Sequence, residues 1–357
     1  MKTFLLLILS VIFGFVFVAA ESQERRDELK IITFGQDYVD VIDLALKTGS
    51  ALEWSPVRQI GNLINSSHEI AFRVGTPWVL VDRSFSVYVG DIIRQTGAVL
   101  ITAKGADTII RLLQSETKKP IRRIEAILID PGHGGKDPGA SGSYQSNGEN
   151  IEVIEKEVVL ETAQILFDIL SKRFPDKQIV LTRNDDSYVT LEGRTDIANN
   201  LIDQTEDSVI FVSIHANASL DTKARGFEVW YLPPDYRREL ITADNLDDDA
   251  RELAPILNTM LEEEYTRESI LLAQEIIQEF DRRVGNKSIN RGIREESWFV
   301  VRNAKMPAVL VELGFATNEQ EAALLASSGY LRTLAEGVYS AIETFVTTFE
   351  STDGFSP

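Results

Sequence analysis

The strongest constraint on this chain is an alternation that begins near Ile124. Short apolar stretches run from Ala126 to Asp130, Gln178 to Thr182, Val209 to Ile214, Gly226 to Leu232 and Pro307 to Leu313. Helical patterns separate or follow them. Lys156 to Arg173 carries apolar residues at 159, 160, 163, 166, 167 and 170, with charges on its other face, and Leu191 to Asn199 and Leu331 to Phe349 are further helices. Apolar strands alternating with amphipathic helices must bury both faces of a sheet. The pattern therefore predicts an α/β domain, with a mainly parallel twisted sheet and helices on both faces, over about 122–350. Residues 233–297 break the simple alternation. They hold two acidic helical patterns, Asp247 to Glu264 and Thr266 to about Val284, the second closed by Gly285. One crossover helix would suffice, so the other is an insertion.

The preceding residues have another texture. Lys2, an apolar run from Phe4 to Val18 and Ala19-Ala20 make residues 1–20 a secretory signal peptide, with an uncleaved anchor as the alternative. Export to a periplasm, cell wall or extracellular space follows, with no later stretch long enough to span a membrane. Residues 21–118 read as a small α+β domain. Helices are expected at Val39 to Leu46, Asp91 to Thr96 and Asp107 to Gln114, and strands at Glu69 to Val74 and Trp78 to Asp82. Lys118-Lys119-Pro120 reads as the linker.

Composition narrows the chemistry. The chain of 357 residues has 36 Lys+Arg, 55 Asp+Glu, three His and no Cys, a formal charge of −19. Without Cys there is no disulfide, thiolate metal ligand or thiol nucleophile. The acidic balance excludes nucleic acid as a main partner, because phosphate binding needs clustered cations.

Three strands deliver polar groups at or near their carboxyl ends: Asp130-Pro131-Gly132-His133-Gly134-Gly135, Ser213-Ile214-His215-Ala216-Asn217-Ala218 and Val311-Glu312-Leu313-Gly314. Active sites of open parallel sheets gather there. Two imidazoles and a carboxylate form a catalytic zinc site with one open position. Glu155, at the start of the helix after the first His loop, is the chosen third ligand; by spacing alone Glu149, Glu152 and Glu157 compete with it. Glu312 interrupts an apolar strand, which suits a general base beside a metal. Asn217 is a substrate-orienting or turn-stabilising residue, Arg194 a structural ion-pairing residue and His68 a surface turn residue.

These segments, with Lys136-Asp137-Pro138-Gly139-Ala140, Glu155-Lys156, Leu181-Thr182-Arg183, Leu191-Glu192-Gly193-Arg194 and Phe315-Ala316-Thr317-Asn318, resemble the zinc-dependent N-acetylmuramoyl-L-alanine amidases of the type-3 fold. The resemblance covers 124 to about 347. It implies one Zn2+ on His133, Glu155 and His215, Glu312 as catalytic acid/base, and peptidoglycan as substrate, cut between N-acetylmuramic acid and L-alanine. It also implies a use for the acidic insertion. Glu262, Glu263 or Glu264 would fill the open metal position, and an activator protein would relieve an inhibitory helix within 247–264; a solvated acidic face is the alternative. Tyr38-Val39-Asp40-Val41 and Gly75-Thr76-Pro77-Trp78-Val79-Leu80-Val81 resemble the small N-terminal domain of copper amine oxidases, implying a wall-targeting or partner-docking module or a stabilising domain. A non-catalytic wall-binding scaffold and a zinc peptidase or amidase on another exported substrate are the competing functions.

Overall fold

Short antiparallel strands dominate the first hundred residues of the structure, a computed structural model that describes residues 29–82, 85–115, 122–202, 204, 208–240, 254–352 and 354–355. The expected signal peptide, linker and Asp247-Asp248-Asp249 lie outside the described residues. Two units are formed, one of 29–115 with 254–257 and one within 122–240 and 258–355. Among the described residues no helix is long and apolar enough to cross a membrane.

The first unit runs β1 (Ile31–Phe34), β2 (Gln36–Asp40), α1 (Val41–Thr48), β3 (Ala51–Ser55), β4 (Ile60–Ile64), β5 (Glu69–Arg73), β6 (Trp78–Val81), β7 (Phe85–Tyr88), β8 (Ile92–Gln95), β9 (Ala98–Thr102) and α2 (Ala103–Leu113). A four-stranded sheet ordered β1-β2-β9-β8 and a five-stranded meander β3 to β7 share a core with Leu44 of α1 and Ile109 of α2. Asp40 caps α1 by accepting from the Ile42 N–H, and Gly49 ends it at φ 67°. Two expectations fail. The helix expected at Asp91 to Thr96 is the strand β8, whose β-branched Ile92 and Ile93 pair with Ile101 and Leu100. His68 is not a surface residue. It is 4% exposed, with Nδ1 2.7 Å from Asp82 Oδ2 and Nε2 2.8 Å from Ser115 Oγ. Both ring nitrogens find partners, which is what allows the imidazole to be buried.

The second unit runs β10 (Ile124–Pro131), β11 (Ser141–Ser146), β12 (Glu149–Ile154), α3 (Glu155–Arg173), β13 (Gln178–Leu181), α4 (Leu191–Ile202), β14 (Ser208–Asn217), β15 (Phe227–Tyr231), α5 (Ala254–Val284), β16 (Asn290–Glu295), α6 (Phe299–Asn303), β17 (Ala308–Phe315), α7 (Glu319–Leu325) and α8 (Ser328–Ser351). Its sheet is ordered β13-β10-β14-β17-β15-β16, and every pairing is parallel except β15 with β17. Alternate residues of one strand enter opposite cores. Ile127, Ile129, Ile210, Val212, Val309 and Val311 pack beneath α3, α5 and α8. Ala126, Leu128, Val209, Phe211, Ala308 and Leu310 pack with α4 and α6. Burial on both faces accounts for the continuous apolar runs of these strands.

The described part of the first acidic pattern, from Ala254, runs into the second as the single helix α5, because Glu264-Tyr265-Thr266 contains no Gly or Pro to interrupt it. The β11–β12 hairpin, in register from Ser141↔Ile154 to Ser146↔Glu149, is an element the apolar pattern does not announce. It links the first His loop to α3. Phe280 of α5 is fully buried, edge-to-face with Phe227 at 5.5 Å. Phe280→Ala is expected to lower the stability of this unit by about 3–5 kcal/mol in urea denaturation.

Candidate metal centre

Strands β10 and β14 are parallel neighbours, with Asp130 opposite Ser213 and Pro131 opposite Ile214. Their carboxyl ends deliver His133 and His215 side by side, ring centroids 5.0 Å apart and planes at 80°. Strand β17, on the other side of β14, sets Glu312 opposite His215. Glu155 arrives as the first residue of α3. Its Oε1 lies 3.1 Å from His133 Nε2 and 3.0 Å from His215 Nδ1. Ligands about 2.0–2.1 Å from a tetrahedral zinc stand roughly 3.3 Å apart. Glu155 Oε1 lies near that separation from both imidazole nitrogens, and all three donor atoms lie within 4.8 Å of one another. The spacing alternatives are separated here: Glu155 is buried, whereas Glu149, Glu152 and Glu157 are exposed.

Backbone fixes these side chains. The Ala140 N–H donates to Glu155 Oε2 at 2.7 Å and the Ala216 N–H to Oε1 at 2.9 Å. A Cβ on Gly132 would sit 2.2 Å from the His215 ring, and one on Gly139 2.5 Å from Glu155 Oε2. Only glycine leaves room for the cluster at these two positions. His133 itself holds φ 58°, a strained backbone for an imidazole. Two arginines keep it there. Arg194 donates to the carbonyls of Pro131 (2.7 Å) and His133 (2.5 Å), and Arg183 to those of Pro131 (3.0 Å) and Gly132 (2.6 Å). Arg194 also pairs with Asp130 Oδ1 at 2.5 Å, both side chains buried, while Thr182 and Ser213 hydroxyls complete the Asp130 carboxylate. Arg194 thus has the structural role expected of it. Asp137 Oδ2, 2.9 Å from His133 Nδ1, leaves Nε2 for the centre.

Burial opposes ionisation of Glu155, but the hydrogen bonds and charges of His133 and His215 outweigh it and hold its carboxyl well below the usual range. Burial likewise disfavours charged His133, yet Glu155 and Asp137 raise its pKa. Glu312 is the opposite case. It is buried, its Oε2 has no hydrogen-bond partner, and burial followed by the charges of Glu155 and Glu228 pushes its pKa well above the carboxylate norm. A cation among the three donors would oppose that shift.

Glu228 was not singled out from the sequence. An acid inside the apolar stretch Gly226 to Leu232 is the same signal that marked Glu312. It faces Glu312 across the β15–β17 pair and is neutralised by Arg291 (2.7 Å) and Arg294 (2.9 Å). Asn217 donates to Glu228 Oε1 at 2.6 Å and its Oδ1 accepts from the Ala218 N–H, which is the turn-stabilising role. The expected occupation of the metal position by the acidic insertion is not met. Glu262 Oε1 accepts from Arg238 Nε at 2.6 Å, and Glu264 pairs with Arg122. Both carboxylates are committed to guanidiniums, and none of Glu262, Glu263 and Glu264 lines the cleft of about 420 Å3 that holds His133, Glu155, His215 and Glu312.

Residues 127–344 match the sequence pattern of the family described as N-acetylmuramoyl-L-alanine amidase. The chain is 31% identical over 217 residues to the sporulation-specific N-acetylmuramoyl-L-alanine amidase of Bacillus subtilis, covering 61% of this chain and 66% of that protein. It is 30% identical over 237 residues to AmiB of Haemophilus influenzae, named a probable N-acetylmuramoyl-L-alanine amidase, covering 61% and 51%. The match thus spans half to about two thirds of these relatives. Among solved structures, the amidase AmiC2 of Nostoc punctiforme is 29% identical with a TM-score of 0.47, covering 62% of this chain and 97% of that one.

Two outcomes are expected. Arg194→Met should weaken zinc affinity about 10- to 100-fold, measured by chelator competition, because the His133 carbonyl loses its donor. Glu312→Gln should raise the melting temperature of metal-free protein at neutral pH. A carboxyl whose folded pKa is raised destabilises the fold above its unfolded pKa, so this gain should shrink as pH falls toward the ordinary carboxylate range.

Proposed function

Because the chain belongs to the N-acetylmuramoyl-L-alanine amidase family, we propose that it hydrolyses the amide between the lactyl group of N-acetylmuramic acid and L-alanine in bacterial peptidoglycan. One zinc ion is held by His133, Glu155 and His215, and Glu312 is the acid/base. The observation that carries this reading is the convergence of all four side chains in one open cleft within the matched segment. A two-nitrogen, one-oxygen donor set that leaves a side open to solvent fits catalytic rather than structural zinc. When bound, zinc supplies Lewis acidity toward a carbonyl and makes water a stronger acid.

The chain's own residues do the rest. Asp137 fixes the His133 tautomer, and the Ala140 and Ala216 amides hold the Glu155 carboxylate. Glu312 takes the proton of the attacking water and returns it to the departing amine of L-alanine. Its unpartnered Oε2 is free to do so, and its elevated pKa favours the return. Export through residues 1–20 to the periplasm or cell surface completes the reading, since the polymer lies outside the cytoplasm. A protein activator acting on 247–264 fits only through residues other than Glu262 and Glu264, whose carboxylates are already paired.

Digestion of purified peptidoglycan with zinc-loaded protein tests the proposal by product mass. Intact stem peptides with free L-alanine amino termini are expected. Glu312→Gln should retain zinc and lose roughly 10²–10⁴-fold in turnover. Cleavage between stem amino acids would indicate a zinc peptidase, and binding without cleavage a scaffold; either sinks the assignment.

A further inference from the structure

Among the described residues of the second unit, six large apolar side chains stand exposed: Tyr188, Leu191, Leu220, Tyr236, Ile289 and Trp298. Three of them, Tyr188, Leu191 and Trp298, line the cleft that holds the metal cluster and Glu312. Scattered exposed apolar side chains need no explanation, but their concentration in one concave site marks a ligand surface.

Trp298 is held rather than loose. It sits 44% exposed at the start of α6, whose next residues but one, Val300 and Val301, are buried in the core. Its ring meets Trp230 edge-to-face at 6.0 Å and 89°, and Arg294 lies over the Trp230 face at 5.7 Å. Tyr188, 42% exposed, carries the Lys136 ammonium over its ring at 4.5 Å. The indole is thus a rigid platform, able to bind at little entropic cost.

This step rests on the amidase reading. The scissile amide joins two unlike parts, a neutral pyranose bearing the lactyl group and a peptide stem that carries carboxylates. The indole face of Trp298 disfavours carboxylates, which lose hydration there without gaining a partner. It favours a sugar face, because ring C–H groups carry partial positive charge and the indole face partial negative charge. We propose that Trp298 forms the subsite for the muramoyl sugar ring, so that the enzyme reads the glycan side of its substrate by stacking.

Two substrates differing only in the sugar test this: an N-acetylmuramoyl-peptide and the same peptide acylated with D-lactate. For Trp298→Ala, the ratio of kcat/KM for the muramoyl substrate to that for the lactoyl substrate should fall about tenfold. The loss should lie in KM, with zinc content and circular dichroism as in the parent, and Trp298→Phe should restore most of it. An equal fall for both substrates overturns the proposal. Peptide-free glycan strands test the wall without turnover. Quenching of tryptophan fluorescence should occur in the parent and vanish in Trp298→Ala; no quenching in the parent, or equal quenching in both, overturns it. Quenching by glycan in a zinc-loaded protein that cuts neither substrate would instead leave the subsite standing and remove the amidase reading.

Discussion

The buried pair between Asp130 and Arg194 is the interaction on which the rest of the centre depends. Asp130 is the next-to-last residue of β10, just before the turn that begins at Gly132, and its carboxylate is fully buried. Such a group is tolerable only when its oxygens are saturated, and Arg194, Thr182 and Ser213 do this from three separate elements. The remaining donors of the same guanidinium reach past the carboxylate to the carbonyls of Pro131 and His133. The pair therefore locks α4 to β10 and holds the loop with its carbonyls turned away from the imidazoles. Breaking one partner of a buried pair leaves an uncompensated charge, typically about 3–5 kcal/mol. The left-handed backbone of His133 is sustained by that contact energy rather than by its own preference.

A second constraint is the division of charge among three buried acids. Glu155 has two imidazoles and two backbone amides, and Glu228 has two guanidiniums and the Asn217 amide. Glu312, between His215 and Glu228 in the sheet register, has an oxygen with no partner. An acid with saturated oxygens is fixed as an anion and cannot carry a proton through a reaction. An acid left short, facing two like charges, keeps a raised proton affinity. The fold thus separates three chemically similar side chains by what each is allowed to bond, and the proposed roles of Glu155 as a ligand and Glu312 as a proton carrier follow from that difference.

Much of this is legible in the sequence because it follows from strand ends. Apolar runs that finish in His133, His215 and Glu312 place those residues at one edge of a parallel sheet, whatever the exact register. Glu155 is different: on spacing it equals Glu149, Glu152 and Glu157. Only the β11–β12 hairpin, a polar segment with no apolar pattern, decides which acid turns inward. The first unit is less legible for a related reason. Its strands are four or five residues long, and a run such as Ile92-Ile93 reads as either element until a partner such as Ile101 and Leu100 is known. His68, Glu262 and Glu264 were misplaced because their partners, Asp82, Arg238 and Arg122, lie far away in sequence. Long-range pairing of polar groups leaves no periodic trace.

The charge of −19 gains a sharper meaning from these placements. Part of the acidity that suggested an inhibitory plug is spent inside the fold, on Arg122 and Arg238. What remains on the surface would repel the proposed polymer substrate, whose peptides are themselves anionic, over about 8–10 Å at moderate salt. Capture of such a substrate cannot rely on long-range attraction. It must come from contacts that work only at close range and are indifferent to net charge. On the proposed reading, the uncharged indole face of Trp298 beside the His133, Glu155 and His215 cluster would supply one such contact. It would act on the neutral junction of the proposed substrate, the point where the stem's carboxylates are absent and the repulsion is weakest.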